Sequence, residues 1–222
     1  MANIENFFQL DSQGLNYLQT EWKELFVSYG VQEEIAEKYL KEIIEKYSEK
    51  KRFYHNLSHI KALLKSAVKL KNYFQDYNSV RLAIWFHDVI YNTKKSSNEE
   101  KSAELAVKVL TELNIPITTI NLVEKMIIAT KTHSINGLTE DGKIFLDLDL
   151  SILGASSEIY QQYHQAIRKE YSWVPWFLYR RSRKSILSGF LAREHIFFTS
   201  ELAKLEQIAR QNISEEIIFL SK

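Results

Sequence analysis

Ala83-Ile84-Trp85-Phe86-His87-Asp88-Val89-Ile90-Tyr91 is an apolar run with a histidine and an aspartate side by side in its middle. Burying two ionisable groups in such surroundings is costly unless something binds them. A divalent cation is the simplest partner, and imidazole together with carboxylate suits a borderline or hard metal. One His-Asp dipeptide arises easily by chance. Its meaning rests on what else the chain carries.

Outward from this run the pattern is helical. Residues 12–28 place Leu15, Leu18, Trp22, Leu25 and Phe26 at helical spacing, with Gly30 closing the segment. Residues 32–48 do the same with Ile35, Tyr39, Leu40, Ile43, Ile44 and Tyr47. Asn56 or Ser58 can cap a helix reaching about Phe74. Asp76 to Ser79 reads as a turn, and the His87 helix follows. Asn92 to Asn98 reads as a polar loop, with Ser97 or Asn98 capping a helix through Leu105, Val109 and Leu110. Pro116 opens another, through Ile120, Val123, Ile127 and Ile128, which ends near His133. Ser134 to Gly142 reads as a loop.

The run Phe145-Leu146-Asp147-Leu148-Asp149-Leu150-Ser151-Ile152-Leu153 alternates like a strand. Gly154, at a C-cap position, and helical neighbours on both sides favour a helix. Segments 156–172, 175–192 and 195–212 also carry helical periodicity. No internal repeat, low-complexity tract or linker is visible. The expectation is a single all-α domain over residues 1–222.

Composition agrees. Hydrophobic residues make up 45% of the 222, enough for a sizeable core. Six glycines and two prolines are few for a turn-rich β protein. A net charge of +1 gives no global pull toward nucleic acid or a membrane. The absence of cysteine excludes disulfides, thiolate zinc sites and cysteine nucleophiles, and is compatible with the cytosol. Met1 to Asp11 carries Glu5 and Asp11 and lacks a basic segment followed by a long apolar run, so no signal peptide is expected. No apolar run approaches the length of about 18 residues that a membrane-spanning helix needs. A cytoplasmic location is the expectation.

Four features remain: His55 with His59, the His87-Asp88 pair, His133, and Asp147 with Asp149. Helical bundles build metal sites from side chains that project inward from facing helices. Each residue alone has an ordinary explanation. His55 suits a surface beside a helix cap, His133 a helix end, and the His87-Asp88 pair a buried hydrogen bond. Asp147 and Asp149 point to different sides of any regular element, so one of them at most is expected to be a ligand.

Together and in order, these residues resemble the HD-domain metal-dependent phosphohydrolases. Tyr54-His55-Asn56-Leu57-Ser58-His59 is similar to the Tyr-His-Asn-x-x-His signature of cyclic-nucleotide phosphodiesterases within that superfamily. Ile128-Ala129-Thr130 followed by His133, and Asp149-Leu150-Ser151, resemble two further segments of those enzymes. The chain from about Trp22 to Phe198 resembles more closely a bacterial family of metal-dependent HD phosphohydrolases. That likeness includes Asn98-Glu99-Glu100-Lys101-Ser102-Ala103, Asp149 through Gly154, and Tyr179-Arg180-Arg181.

The resemblance implies an HD core over about residues 50–155, with additional C-terminal helices packed over it to shape a pocket. It implies His59, His87, Asp88 and Asp149 as ligands of one or two divalent ions (Mn, Fe, Ni, Mg or Zn), with Asp147 the alternate for Asp149. It also implies His55 as the general acid. Water on such an ion deprotonates readily and can attack phosphorus, while an imidazole can protonate the leaving oxygen. Val89-Ile90-Tyr91-Asn92 stands where the phosphodiesterases have His-Pro-Gly, which argues against cyclic-nucleotide specificity.

Arg180, Arg181, Arg183 and Lys184, with Arg168, Lys169 and Arg193 nearby, form a basic stretch. It reads as a solvated helix face, from which Arg180 or Arg181 is the candidate to grip a phosphate. Glu99 and Glu100 open a helix, where they favour its dipole.

The expected function is a metal-dependent phosphohydrolase acting on a nucleotide or small phosphate ester, with no membrane or nucleic-acid partner. A homo-oligomer is compatible with the exposed aromatic supply. One alternative is a metal-holding HD domain that senses a nucleotide without turnover. A di-iron HD oxygenase ranks below both, because only His133 lies between the His-Asp pair and the last aspartate.

Overall fold

The structure, a computed structural model, describes residues 10–222. The signal-peptide expectation falls almost wholly on residues 1–9, outside the described ones. Among the described residues there are ten α-helices and no strand: α1 (Ser12–Val27), α2 (Glu33–Tyr47), α3 (Leu57–Lys69), α4 (Tyr77–Phe86), α5 (Asn98–Glu112), α6 (Ile117–Thr130), α7 (Glu140–Leu150), α8 (Ser157–Glu170), α9 (Trp176–Leu191) and α10 (Glu206–Phe219). The all-α class is as expected. None of these helices is long and apolar enough to cross a membrane.

α4 is the central element. Every residue from Ser79 to Phe86 is buried. α3, α5, α6 and α7 pack around it. Trp85 and Phe86 meet Trp22 of α1 at ring distances of 5.0 and 6.2 Å, and Trp22 meets Phe26 at 4.5 Å. The Tyr47 hydroxyl donates to the Trp85 carbonyl at 3.1 Å. α4 is therefore gripped on all sides and delivers the residues that follow it to a fixed place.

Local chemistry sets where helices begin. The Asn56 side chain, not Ser58, caps α3 by accepting from the Ser58 amide at 2.8 Å. Asp76, expected in a turn, is the N-cap of α4 and accepts from the Ser79 amide at 3.0 Å. Asp and Ser serve turns and N-caps by the same side-chain bond, so the two look alike in sequence. Thr139 caps α7, so the helix starts inside the expected 134–142 loop.

α3 stops at Lys69, with a 3₁₀ turn over Lys71–Tyr73 carrying the chain on toward Phe74. α7 is a helix, and a 3₁₀ turn over Ser151–Gly154 continues it. A Cβ on Gly154 would sit 2.6 Å from the Leu205 Cβ, so glycine here permits close packing. Gly30 has φ +72°, the left-handed conformation that ends α1.

The expected helix over 195–212 is a correction. Residues 195–202 are irregular, a 3₁₀ turn spans Ala203–Leu205, and α10 begins only at Glu206. Side chains take the amides that a helix would have used. Glu206 accepts from the Ile196 and Phe197 amides at 2.9 and 3.1 Å, and Asp147 accepts from Phe198 and Thr199 at 2.8 Å each.

Asp141, in the first turn of α7, is 4% exposed and accepts from the Gln75 and Asp76 amides at 2.9 and 2.7 Å. It fixes the entry to α4 from outside. Asp141→Ala is expected to lower unfolding stability by about 2–4 kcal/mol, because two amides lose a charged acceptor. Urea denaturation checks this, and a loss under about 0.5 kcal/mol would contradict it.

Candidate metal centre and its cavity

Three elements meet below the C-terminal end of α4. His87 sits at its C-cap, one residue past the helix, and Asp88 follows. The pair therefore ends the helix instead of sitting in its middle. The amide of His87 still bonds to the Ala83 carbonyl at 2.9 Å, and its Nδ1 lies 2.9 Å from the Ile84 carbonyl. That carbonyl claims the Nδ1 proton, which leaves Nε2 with a free lone pair in the neutral ring. His59 arrives from the first turn of α3 and Asp149 from the last turn of α7.

The His59 and His87 Nε2 atoms are 3.2 Å apart. Asp149 Oδ1 lies 3.3 Å from the first and 3.6 Å from the second. His59, His87 and Asp149 form a buried group whose ligand atoms all lie within 4.8 Å of one another, and it could hold a metal ion. Asp88 stands at its edge, with Oδ2 3.1 Å from His87 Nε2 and 3.9 Å from His59 Nε2.

The electrostatics are strained in the direction a cation would relieve. Burial alone would raise both carboxyls, but His87 and His55 hold Asp88 below its ordinary value. Hydrogen bonds from His133, His59 and His87 hold Asp149 well below. Burial pushes His59 down. It pushes His87 down too, but Asp88 and Asp149 override it and hold that imidazole well above the usual range. Both carboxylates thus bear on the His87 imidazole.

Asp147 and Asp149 are two residues apart on α7 and face opposite ways. Asp147 is fully buried and accepts from the Phe198 amide and from the Thr199 amide and hydroxyl, the last at 2.6 Å. Its role is to anchor the 198–199 segment. His133, with φ +48°, places Nε2 3.1 Å from Asp149 Oδ2.

His55 lies 6.2 Å from His59, ring to ring. It is held by Glu170, at the end of α8: Nδ1 sits 2.7 Å from Oε2, and Oε1 accepts from the His55 and Tyr54 amides at 3.0 and 2.7 Å. The Tyr91 hydroxyl donates to the same carboxylate at 2.8 Å, and its ring stacks on His55 at 4.3 Å. Burial would lower His55, but Glu170 turns the balance and raises its pKa. Arg52 closes the far side, donating to the carbonyls of His55 at 3.2 Å and Val89 at 3.0 Å.

Glu170 and Arg52 have the largest roles that sequence reading missed. Glu170 left a trace: with Tyr160, Tyr163 and Ile167 it occupies the apolar stripe of α8, where a carboxylate needs a reason.

A cavity of 780 Å³ opens above, with His55, Asp88, His133 and Asp149 on its wall. Arg180 and Arg181 do not line it. The α9 face that does carries Tyr179, Ser182, Arg183, Ile186 and Phe190. At 100° per residue, Arg180 and Arg181 turn away from it. Arg180 lies over the Trp176 ring at 6.0 Å, and Arg181 is exposed. Arg183 is spent on a buried bridge to Glu216 at 2.8 Å. Arg193 also lines the cavity, donating to the Thr132 and His133 carbonyls at 3.0 and 3.3 Å. Glu99 is on the cavity wall, while Glu100 pairs with Lys131.

No protein-family model matches the chain, and no curated protein matches it.

The two aspartates of α7 separate by experiment. Asp149→Ala is expected to weaken Mn²⁺ binding by at least roughly a hundredfold. Asp147→Ala should keep affinity within a few-fold while losing about 2–4 kcal/mol of stability. Calorimetric titration and denaturation of both variants check this, and loss of Mn²⁺ binding in stable Asp147→Ala protein would reverse the assignment.

Proposed function

We propose that the protein is a metal-dependent phosphohydrolase acting on a nucleotide or another small phosphate ester. The observation that carries this is the His59, His87 and Asp149 group with Asp88 against it, opening onto a cavity whose wall also holds a carboxylate-clamped histidine, His55. The ordered resemblance to HD phosphohydrolases supports the same reading. His59, His87, Asp88 and Asp149 would hold a divalent ion (Mn, Fe, Ni, Mg or Zn), and a second could share Asp88. Such an ion supplies Lewis acidity and lowers the pKa of water.

The chain's own residues do the rest. Glu170 accepts a hydrogen bond from the Nδ1–H of His55 and fixes the ring, so Nε2 is left to carry the proton that a leaving oxygen needs. Burial beneath the cavity floor keeps His59 neutral and its lone pair available. His133 holds the second oxygen of Asp149. Arg193 has no carboxylate partner among the described residues, and it takes over the phosphate-gripping role expected of Arg180 and Arg181.

The direct test is phosphate release from a panel of nucleotides and phosphate esters with Mn²⁺, beside Asp88→Ala. Turnover is expected to fall at least roughly a thousandfold in the variant. Equal turnover would sink the proposal. Bound metal with no turnover anywhere would favour nucleotide sensing.

The acid role of His55 predicts a pH signature. His55 donates only while protonated, so kcat declines as pH rises through its pKa. Glu170 raises that pKa. Glu170→Gln is expected to move the high-pH limb of the kcat profile to lower pH and to reduce kcat by roughly tenfold to a hundredfold. An unmoved limb would remove His55 from the proton transfer.

A further inference from the structure

The cavity is far larger than a phosphate requires. Its 780 Å³ equals roughly 26 waters at about 30 Å³ each, in the size range of sites for whole small molecules. Its wall holds Asp88, Asp149, His55 and His133, and also Lys95, Glu99, Lys131, Arg183 and Arg193. The wall supplied by α9 is different in kind.

α9 has sixteen residues, of which only Tyr179 and Leu187 are buried. Ile186 and Phe190 are one turn apart and share a face. On a packed helix that face meets a core. Here Ile186 lines the cavity and stays 56% exposed, and Phe190, only partly packed on the core, lines the same wall. Tyr179, on the same wall, is 5% exposed, and its hydroxyl has no hydrogen-bond partner among the described residues. A buried hydroxyl left unpaired is costly, and it calls for a polar atom from outside the chain.

We propose that the ligand of this site is a phosphate ester whose remaining part is bulky and largely apolar. That part packs on Ile186 and Phe190 and offers one hydrogen-bonding atom to Tyr179. The phosphate end rests on the hydrolase reading above. The apolar end rests on α9 alone.

Calorimetry of Mn²⁺-loaded protein with glycerol phosphate, phenyl phosphate and 1-naphthyl phosphate tests it, with phosphate release recorded on the same samples. Affinity is expected to rise along the series, at least roughly tenfold from first to last. Ile186→Asp and Phe190→Ala should each weaken 1-naphthyl phosphate roughly tenfold. Ile117→Asp, at a residue 65% exposed on α6, should not. Equal affinity across the series, or binding indifferent to both α9 variants, would overturn the proposal. Graded binding without phosphate release would overturn the hydrolase reading and leave this site standing. Release without grading would do the reverse.

Discussion

Two imidazoles face each other at 3.2 Å with two carboxylates against them, at the foot of a helix buried from Ser79 to Phe86. Everything nearby answers the cost of that arrangement. Carboxylates taken from water need opposite charge or donors. Contacts with the His87 and His133 rings meet part of the need. A divalent ion would meet it more fully, since it engages nitrogen lone pairs and carboxylate oxygens together. The Ile84 carbonyl has already turned His87 so that Nε2 is the atom presented. The surroundings suit a cation.

His55 is positioned by a different logic. It belongs to the stretch before α3, yet its partner Glu170 lies 115 residues further on. Glu170 accepts four bonds: two from amides, one from the His55 ring and one from Tyr91. A buried carboxylate satisfied in this way holds its charge below the ordinary pKa despite burial, because His55 and the amides outweigh desolvation. The C-terminal helices therefore do more than cover a core. One of them sets the orientation and proton affinity of a cavity residue.

Most of the helices were legible because apolar residues recur at 3.6-residue spacing, and Asp11, Asn56, Asp76 and Thr139 cap four of them. Failures came where a side chain competed with the backbone. Residues 195–202 have helical periodicity, but Glu206 and Asp147 hold their amides. α7 read ambiguously because it is buried nearly all round, so alternation and helix period look the same. The His59, His87 and Asp149 group was legible from order and motif. The phase of α9 was not: Arg180 and Arg181 differ from Arg183 only by rotation about the axis, which sequence alone leaves free.

α9 shows how a cavity wall can be kept without a core behind it. With two buried residues, it gains little from apolar burial. It is held by polar and aromatic ties instead. Arg183 meets Glu216 deep in the structure, and Tyr160 donates to the same carboxylate at 2.6 Å. Arg168 braces the N-terminal turn, with its guanidinium 5.5 and 4.7 Å from the Trp176 and Tyr179 rings and donating to the Tyr171 and Val174 carbonyls. Ties at a few points fix the helix while leaving Ile186 exposed. Elements with little buried apolar contact lie at the low end of local stability, where ligand-binding segments are drawn from. α9 is such an element, whereas α4 is buried from Ser79 to Phe86 and α7 over most of its length.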